Sequence, residues 1–245
     1  MENALWASSA TRQIQVGVGP ELGKPSRVIK LGGSVITCKS VPYCLDVQVI
    51  RQCIGELSSF AEGLVLVHGG GSFGHYEASR SNNVRITLTA ASMQELNAYI
   101  LREMALKGIK AFPLPGRFYS KETIETILDY GHVPVLYGDI KQNGEIVSGD
   151  DLTVLVAKEY SLTALFATDV DGVLLGNRVV NEISSPIKLD TLASKSLDIT
   201  GGMQRKIEKI FQHKVDAVIF NGKKKGNVYN ALHGERIGTF IKVRK

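Results

Sequence analysis

Leu64-Val65-Leu66-Val67-His68-Gly69-Gly70-Gly71-Ser72-Phe73-Gly74-His75 drives a short apolar strand straight into a glycine cluster that closes on a histidine. Three successive glycines strip every Cβ from the turn, so backbone N–H groups can approach a phosphate closely. The positive end of a following helix would face the same point. His75 supplies a titratable donor at the mouth. A glycine cluster alone also fits a plain tight turn, but a second cluster favours the anion site. Val28-Ile29-Lys30-Leu31-Gly32-Gly33-Ser34 repeats the design about forty residues earlier, with one lysine inside the apolar strand. Neither cluster is a G-x-x-x-x-G-K-[ST] loop, and no G-x-G-x-x-G precedes an acid by about twenty residues.

From Arg27 onward, apolar runs alternate with amphipathic stretches. The pattern predicts an α/β fold, a three-layer αβα sandwich with a mainly parallel central sheet. Asp46 can cap a helix carrying Val47, Ile50, Ile54 and Leu57, and Thr89 one carrying Met93, Leu96, Ile100 and Met104 that ends at Gly108. Ser120 starts a third, stopped by Gly131. The run His132 to Tyr137 then enters the sheet, its early proline suiting the first residues of a strand or an edge. Further helices are expected near Leu152 to Tyr160 and Met203 to His213. Strands are expected near Ala164 to Ala167, Ala217 to Phe220 and Arg236 to Val243. Residues 1–26 show no sustained period and read as a flexible extension.

With 245 residues, 44% of them apolar and 22% charged, the chain suits one compact enzyme. No apolar run approaches the roughly 18 residues of a spanning helix, and the N-terminus lacks a secretory pattern, so a cytoplasmic protein is expected. The net charge of +5 includes one dense basic run, Lys223-Lys224-Lys225. Without interleaved aromatics it reads as a loop bordering phosphates rather than as a nucleic-acid site. Cys38, Cys44 and Cys53 are odd in number and show no C-x-x-C spacing, which predicts free thiols, with Cys53 packed in the core.

The pairing of Lys-Leu-Gly-Gly-Ser with His-Gly-Gly-Gly-Ser-Phe-Gly-His resembles the amino acid kinase family. Ser148-Gly149-Asp150-Asp151, Thr168-Asp169-Val170-Asp171-Gly172-Val173, Thr200-Gly201-Gly202-Met203 with Lys206, and Asn221-Gly222 follow in the family's order. The Ser-Phe-Gly-His ending is similar to the branch whose acceptor is isopentenyl phosphate. The resemblance covers residues 27–245. It implies an acceptor-binding lobe over about residues 27–147, a nucleotide-binding lobe over about 148–245, a homodimer, and ATP with Mg2+.

It also implies roles for individual residues. Lys30 and Lys206 meet the transferring phosphate, Asp150 holds the two lysines, and Lys39 contacts the same group, although Cys38 stands where an aspartate is expected before it. Lys30, Gly32, Gly33, Ser34, Gly71, Asp171, Gly222 and Gly226 fall on the nucleotide side. Gly70, Gly74, His75 and Gly149 fall on the acceptor side. No metal ligand is assigned: magnesium would bridge nucleotide oxygens.

The chemistry can also be read from the residues. Two phosphates in one cleft need cations between them. A phosphate monoester acceptor, with its second pKa near ~6, is largely dianionic at neutral pH and needs no general base. His75 would then act as a donor that orients the acceptor phosphate. A five-carbon tail needs an apolar slot, for which Ile86, Leu88, Met93, Leu96 and Ile100 are available. The segments from His75 to Met93 and from Pro115 to Lys121 are shorter than the resemblance implies, so tail preference stays open. The leading expectation is ATP-dependent phosphorylation of isopentenyl phosphate to isopentenyl diphosphate. Alternatives are a kinase for another small phosphate or phosphonate, a nucleoside monophosphate or amino acid kinase, and a non-catalytic nucleotide- or oxyanion-binding protein.

Overall fold

The structure, a computed structural model, describes residues 23–81, 83–175, 178–186 and 199–243. The chain opens with β1 (Arg27–Leu31), α1 (Gly33–Ile36), α2 (Val47–Leu57), β2 (Leu64–His68), α3 (Gly71–Ala78) and α4 (Arg85–Leu106). Then come β3 (Ala111–Pro115), α5 (Lys121–Asp129), β4 (Val133–Tyr137), β5 (Asp139–Ile140), β6 (Ile146–Val147) and α6 (Gly149–Glu159). The second half holds β7 (Ala164–Thr168), β8 (Leu174–Leu175), β9 (Arg178–Val179), β10 (Glu182–Ile183), α7 (Ile199–His213), β11 (Ala217–Asn221), α8 (Asn227–His233) and β12 (Thr239–Ile241).

Eight strands form one sheet in the order β10-β12-β11-β7-β1-β2-β4-β3, and only the β11–β12 pairing is antiparallel. The expected three-layer sandwich is present. Period-two alternation sorts the strand residues between the two faces. Ile29, Leu31, Leu64, Leu66, Leu165 and Phe220 pack with residues of α1, α2, α4 and α8. Val28, Val65, Val67, Phe166 and Ile219 pack with residues of α5, α6 and α7. Lys30 shares the parity of Val28 and so joins that second face.

β1 lies between β2 and β7, with Leu31 in register with both His68 and Ala167. Successive strands leave β1 in opposite directions, and in open parallel sheets the crevice beyond the strand ends at such a point is where ligands bind. Both glycine clusters lie there. A Cβ built on Gly33 would sit 2.2 Å from the Gly71 backbone nitrogen, and Gly71 has φ +46° with Thr37 Oγ1 2.1 Å from its own would-be Cβ. The two turns therefore touch backbone to backbone.

Several expectations are refined. Asp46 accepts from the Val49 amide and Ser120 from the Thr123 amide, so both caps stand where the sequence puts them. Thr89 is not a cap: α4 starts four residues earlier without any side-chain cap, and Thr89 is buried within it. Pro134 occupies the second residue of β4, one strand in from the β3 edge. Residues 1–22 lie outside the described residues. Ser26 is buried and its amide donates to the Gly63 carbonyl, so folded contacts begin before Arg27.

The cysteine expectation is corrected. Cys38 and Cys44 form a disulfide, with Cα atoms 5.3 Å apart. The chain after α1 doubles back through a bridge between Thr37 and Leu45, which brings the flanking cysteines within bonding range without C-x-x-C spacing. Cys53 is a buried free thiol, as expected.

Replacing Gly33 by alanine should lower stability by about 1–3 kcal/mol through overpacking against Gly71. Gly55, inside α2 with open space around its would-be Cβ, is the matched control. Its alanine variant should gain about 0.5–1 kcal/mol from helix propensity. Urea midpoints of the two variants check both signs; equal midpoints would refute the backbone contact.

Candidate active site

The crevice above β1, β2 and β7 is a cavity of about 630 Å3. Its walls include Lys30, Gly32, Gly33, Ser34, Lys39, Gly70, Gly71, Gly74, His75, Gly149, Asp150 and Lys206, so twelve of the fifteen expected residues come together. The other three lie outside the lining. Asp171 pairs with Lys224 at 2.8 Å and accepts from Asn221. Gly222 packs against Ala167 and takes the Cys53 thiol on its carbonyl. Gly226 caps α8 and donates its amide to Glu56. Lys223 pairs with Asp46, so neither it nor Lys224 joins the wall.

The centre of the cavity is a buried charge cluster. Lys30 Nζ donates to Asp150 Oδ1 at 2.6 Å, and Lys206 donates to the same oxygen while lying 4.6 Å from the centroid of the Phe166 ring. Lys30 and Lys206 are each 8% exposed, which an unpaired ammonium would not tolerate. Lys30 is thus turned into the protein rather than facing outward. Asp150 is not a helix cap: Ser148 caps α6 by accepting from the Asp151 amide, which frees Asp150 in the first turn for the lysines. Lys209 completes the edge by pairing with Asp151 at 2.6 Å.

Burial opposes ionisation of Asp150, but Lys206 and Lys30 outweigh it and hold the carboxyl far below the usual carboxylate range. Burial pushes Lys206 down to about 8, against the pull of Asp150 and with help from the nearby Lys30 charge. Two cations against one anion leave the cluster net positive, as a site for anionic oxygens requires.

Lys39 lines the cavity and forms an ion pair with Asp169. Burial raises the Asp169 carboxyl, but bonds from Lys39 and Ser34 bring it below its ordinary value. Asp169 is a wall residue that the sequence reading passed over in favour of Asp171, its neighbour in the same motif.

His75 is exposed on α3 and lines the cavity. His68, the other histidine of the motif, is fully buried, with Nε2 3.2 Å from the Asn97 amide and Nδ1 3.2 Å from the Gly69 carbonyl. The apolar wall differs from the expected slot. Met93 lines it, whereas Leu96 and Ile100 are fully buried core and Ile86 is exposed. Val41, Pro42, Tyr76, Ala78, Ile146 and Val147 line it as well.

Such a crevice, with glycine turns, two buried lysines and a shared aspartate, suits phosphoryl transfer. Comparison with known proteins agrees: residues 26–221 match the model of the amino acid kinase family, and the chain belongs to that family. It is 32% identical to the isopentenyl phosphate kinase of Methanocaldococcus jannaschii over 87% of this chain and 97% of that protein. It is 34% identical to the isopentenyl phosphate kinase of Haloferax volcanii over 88% and 98%. A crystal structure of isopentenyl phosphate kinase superposes with a TM-score of 0.74 at 25% identity, covering 88% of this chain and 99% of that one.

The lowered Lys206 pKa sets a pH dependence. The ammonium is charged below about 8 and neutral above it, so ATP affinity should be flat below that pH and weaken on the alkaline side. Asp150→Asn removes the anion that opposes this loss and should move the alkaline limb down by at least about one pH unit. Binding titrations from pH 6.5 to 9.5 test this, and an unmoved limb would separate Asp150 from Lys206.

Proposed function

We propose that this chain is an ATP-dependent kinase that transfers the γ-phosphoryl group of ATP to the phosphate of isopentenyl phosphate, giving ADP and isopentenyl diphosphate. The observation that carries the reading is one cavity in which His75 and an apolar wall share space with the Lys30–Asp150–Lys206 cluster. A carboxylate or hydroxyl acceptor gives no reason for that pairing, and a phosphate with a short hydrocarbon tail gives one for each part. The named relatives favour the same acceptor.

In this reading an acceptor phosphate oxygen attacks the γ-phosphorus in line while the bond to the β-phosphate oxygen breaks and ADP leaves. The acceptor is already dianionic, so no proton must be removed. Lys30 and Lys206 offset the charge that gathers on the transferring group, and Asp150 keeps their Nζ atoms aimed at it. The Gly32 and Gly69 amides donate to the Ala167 and Leu31 carbonyls, so the interlocked turns would offer the backbone N–H groups of Gly33, Ser34, Gly70 and Gly71 to the two phosphates. His75 holds the acceptor phosphate, and Met93, Tyr76, Ile146 and Val147 receive the tail.

Magnesium would come with the nucleotide and supply positive charge to its phosphates. Among the described residues no group of three or more histidine, cysteine or acidic side chains gathers to hold a metal. Asp139, Asp150 and Asp169, on the wall, are already engaged by Arg117, by the two lysines and by Lys39. When bound, the ion would neutralise β- and γ-phosphate oxygens. A homodimer, implied by the family resemblance, and a cytoplasmic location, expected from the sequence pattern, belong to the same reading. Among the described residues no helix is long and apolar enough to cross a membrane.

ADP release should be fastest with isopentenyl phosphate among a panel that includes dimethylallyl phosphate, a nucleoside monophosphate, a phosphonate and glutamate. His75→Ala should lower kcat at least about a hundredfold, with ATP affinity retained. Near-normal turnover would remove His75 from the mechanism, and turnover on other acceptors alone would discard the substrate.

A further inference from the structure

The disulfide brackets a segment that builds the cavity. Cys38 and Cys44 enclose Lys39 to Tyr43, and Lys39, Ser40, Val41 and Pro42 all line the wall. Tyr43 faces the other way and docks on α3, the helix that carries His75. Its hydroxyl donates to Glu77, its amide donates to the Ser72 carbonyl at 3.2 Å, and its ring meets Phe73 edge-on at 5.4 Å. Ser72 Oγ returns a bond to the Cys44 carbonyl at 3.2 Å. Glu77 is buried, so the segment is keyed into the interior of the acceptor side.

Tyr43 holds φ +56°, a left-handed conformation that a bulky residue adopts only where its surroundings impose it. The cross-link and the α3 contacts together are those surroundings. Without the sulfur bond the exposed segment is held by noncovalent ties: the Tyr43 contacts, the Lys39–Asp169 ion pair, the Cys38 amide bond to the Cys44 carbonyl and the Thr37–Leu45 bridge. Local opening then becomes easier, since the closed loop no longer restricts it.

Position also separates this pair from the third cysteine. Cys38 and Cys44 are partly exposed and flank an exposed segment, where a small thiol can reach them. Cys53 has no exposure, and burial pushes its thiol up to about 12, which leaves almost no thiolate to react.

We propose that Cys38 and Cys44 form a thiol–disulfide exchange site whose co-reactant is a low-molecular-weight thiol, and that its state sets the order of the Lys39–Tyr43 wall and hence acceptor capture. In the exchange, one external thiolate attacks one sulfur of the pair and releases the other as a cysteine thiolate, leaving a mixed disulfide. A second external thiolate attacks the external sulfur of that mixed disulfide and frees the remaining cysteine. Two protons complete the two cysteine thiols, and the two external thiols leave as their own disulfide, so the two electrons gained by the protein come from them.

The effect on acceptor capture rests on the kinase reading, so the test has one arm that does not. The intact protein is equilibrated with reduced and oxidised glutathione at a series of ratios, its thiols are counted, and trypsin cleavage of the Lys39–Ser40 bond is followed by mass spectrometry. Thiols should rise from one to three across the series, and cleavage should accelerate at least about tenfold on reduction. The same samples should lose about tenfold in kcat/KM for isopentenyl phosphate, with the KM for ATP moving less than about twofold. A Cys38→Ser/Cys44→Ser variant should cleave fast and respond to neither state.

A thiol count that stays fixed across the series, or cleavage equal in both states, overturns the proposal whatever the substrate is. A redox response that survives in the double variant overturns it as well, by assigning the effect elsewhere. Exchange and cleavage as expected, with no turnover of isopentenyl phosphate in either state, would sink the kinase reading and leave the exchange site standing.

Discussion

The backbone of the first glycine turn lies directly against that of the second, and the site is assembled around this contact. Neither Gly33 nor Gly71 can carry a side chain without displacing the other turn. Because β1 and β2 are neighbours in register, their ends deliver the two turns to the same height, and removal of Cβ atoms allows the close approach. Two sets of backbone N–H groups are thereby held in one crevice at a spacing fixed by van der Waals contact rather than by flexible side chains. Sites for two phosphates that must meet need such a fixed spacing, because a small misplacement of reacting groups is costly in rate.

The same crevice concentrates positive charge, and Asp150 makes that concentration tolerable. Two ammonium groups with so little access to water would repel each other and shed a proton if left alone. One carboxylate oxygen shared between them offsets the repulsion and still leaves the cluster cationic. The arrangement is asymmetric: Lys30 comes from a central strand, whereas Lys206 comes from α7, with the Phe166 ring beneath its charge.

Most of the sandwich could be read from residues because its strands are short apolar runs between turn signals and α2 and α5 carry side-chain caps. The failures have local causes. α4 begins after Val84 without a cap, so Thr89, the first good capping residue, drew the boundary inward. β3 reads Ala-Phe-Pro-Leu-Pro, and two prolines hide a strand that is viable because it lies at the sheet edge. β5 and β6 are two residues each, too short for any period, yet β6 brings Ile146 and Val147 to the wall. At the site, Lys30 was legible from its place in an apolar strand before a glycine pair, and Asp150 and Lys206 from the family resemblance. Asp169 and the Cys38–Cys44 bond were not, because their partners are chosen by how the chain folds back and not by spacing along it.

The two histidines of the glycine motif have opposite situations, and hydrogen bonding defines the buried one. Burial pushes His68 down to about 4, so its ring is neutral at physiological pH and carries one N–H. The Gly69 carbonyl, 3.2 Å from Nδ1, and Asn97 Oδ1, 3.2 Å from Nε2, are both acceptors, so this one N–H serves one of the two. The ring, stacked on Tyr137 with centroids 5.4 Å apart, thus ties the first glycine of the turn to α4. Met93, one turn earlier on α4, presses its sulfur against Gly70 and Gly74 from the same side. The glycine turn and Met93 are consequently braced by one helix, so in the proposed reading an acceptor tail placed against Met93 would meet a turn whose position is already set. His68 is a strut in this assembly, and the ring that faces the cavity is His75.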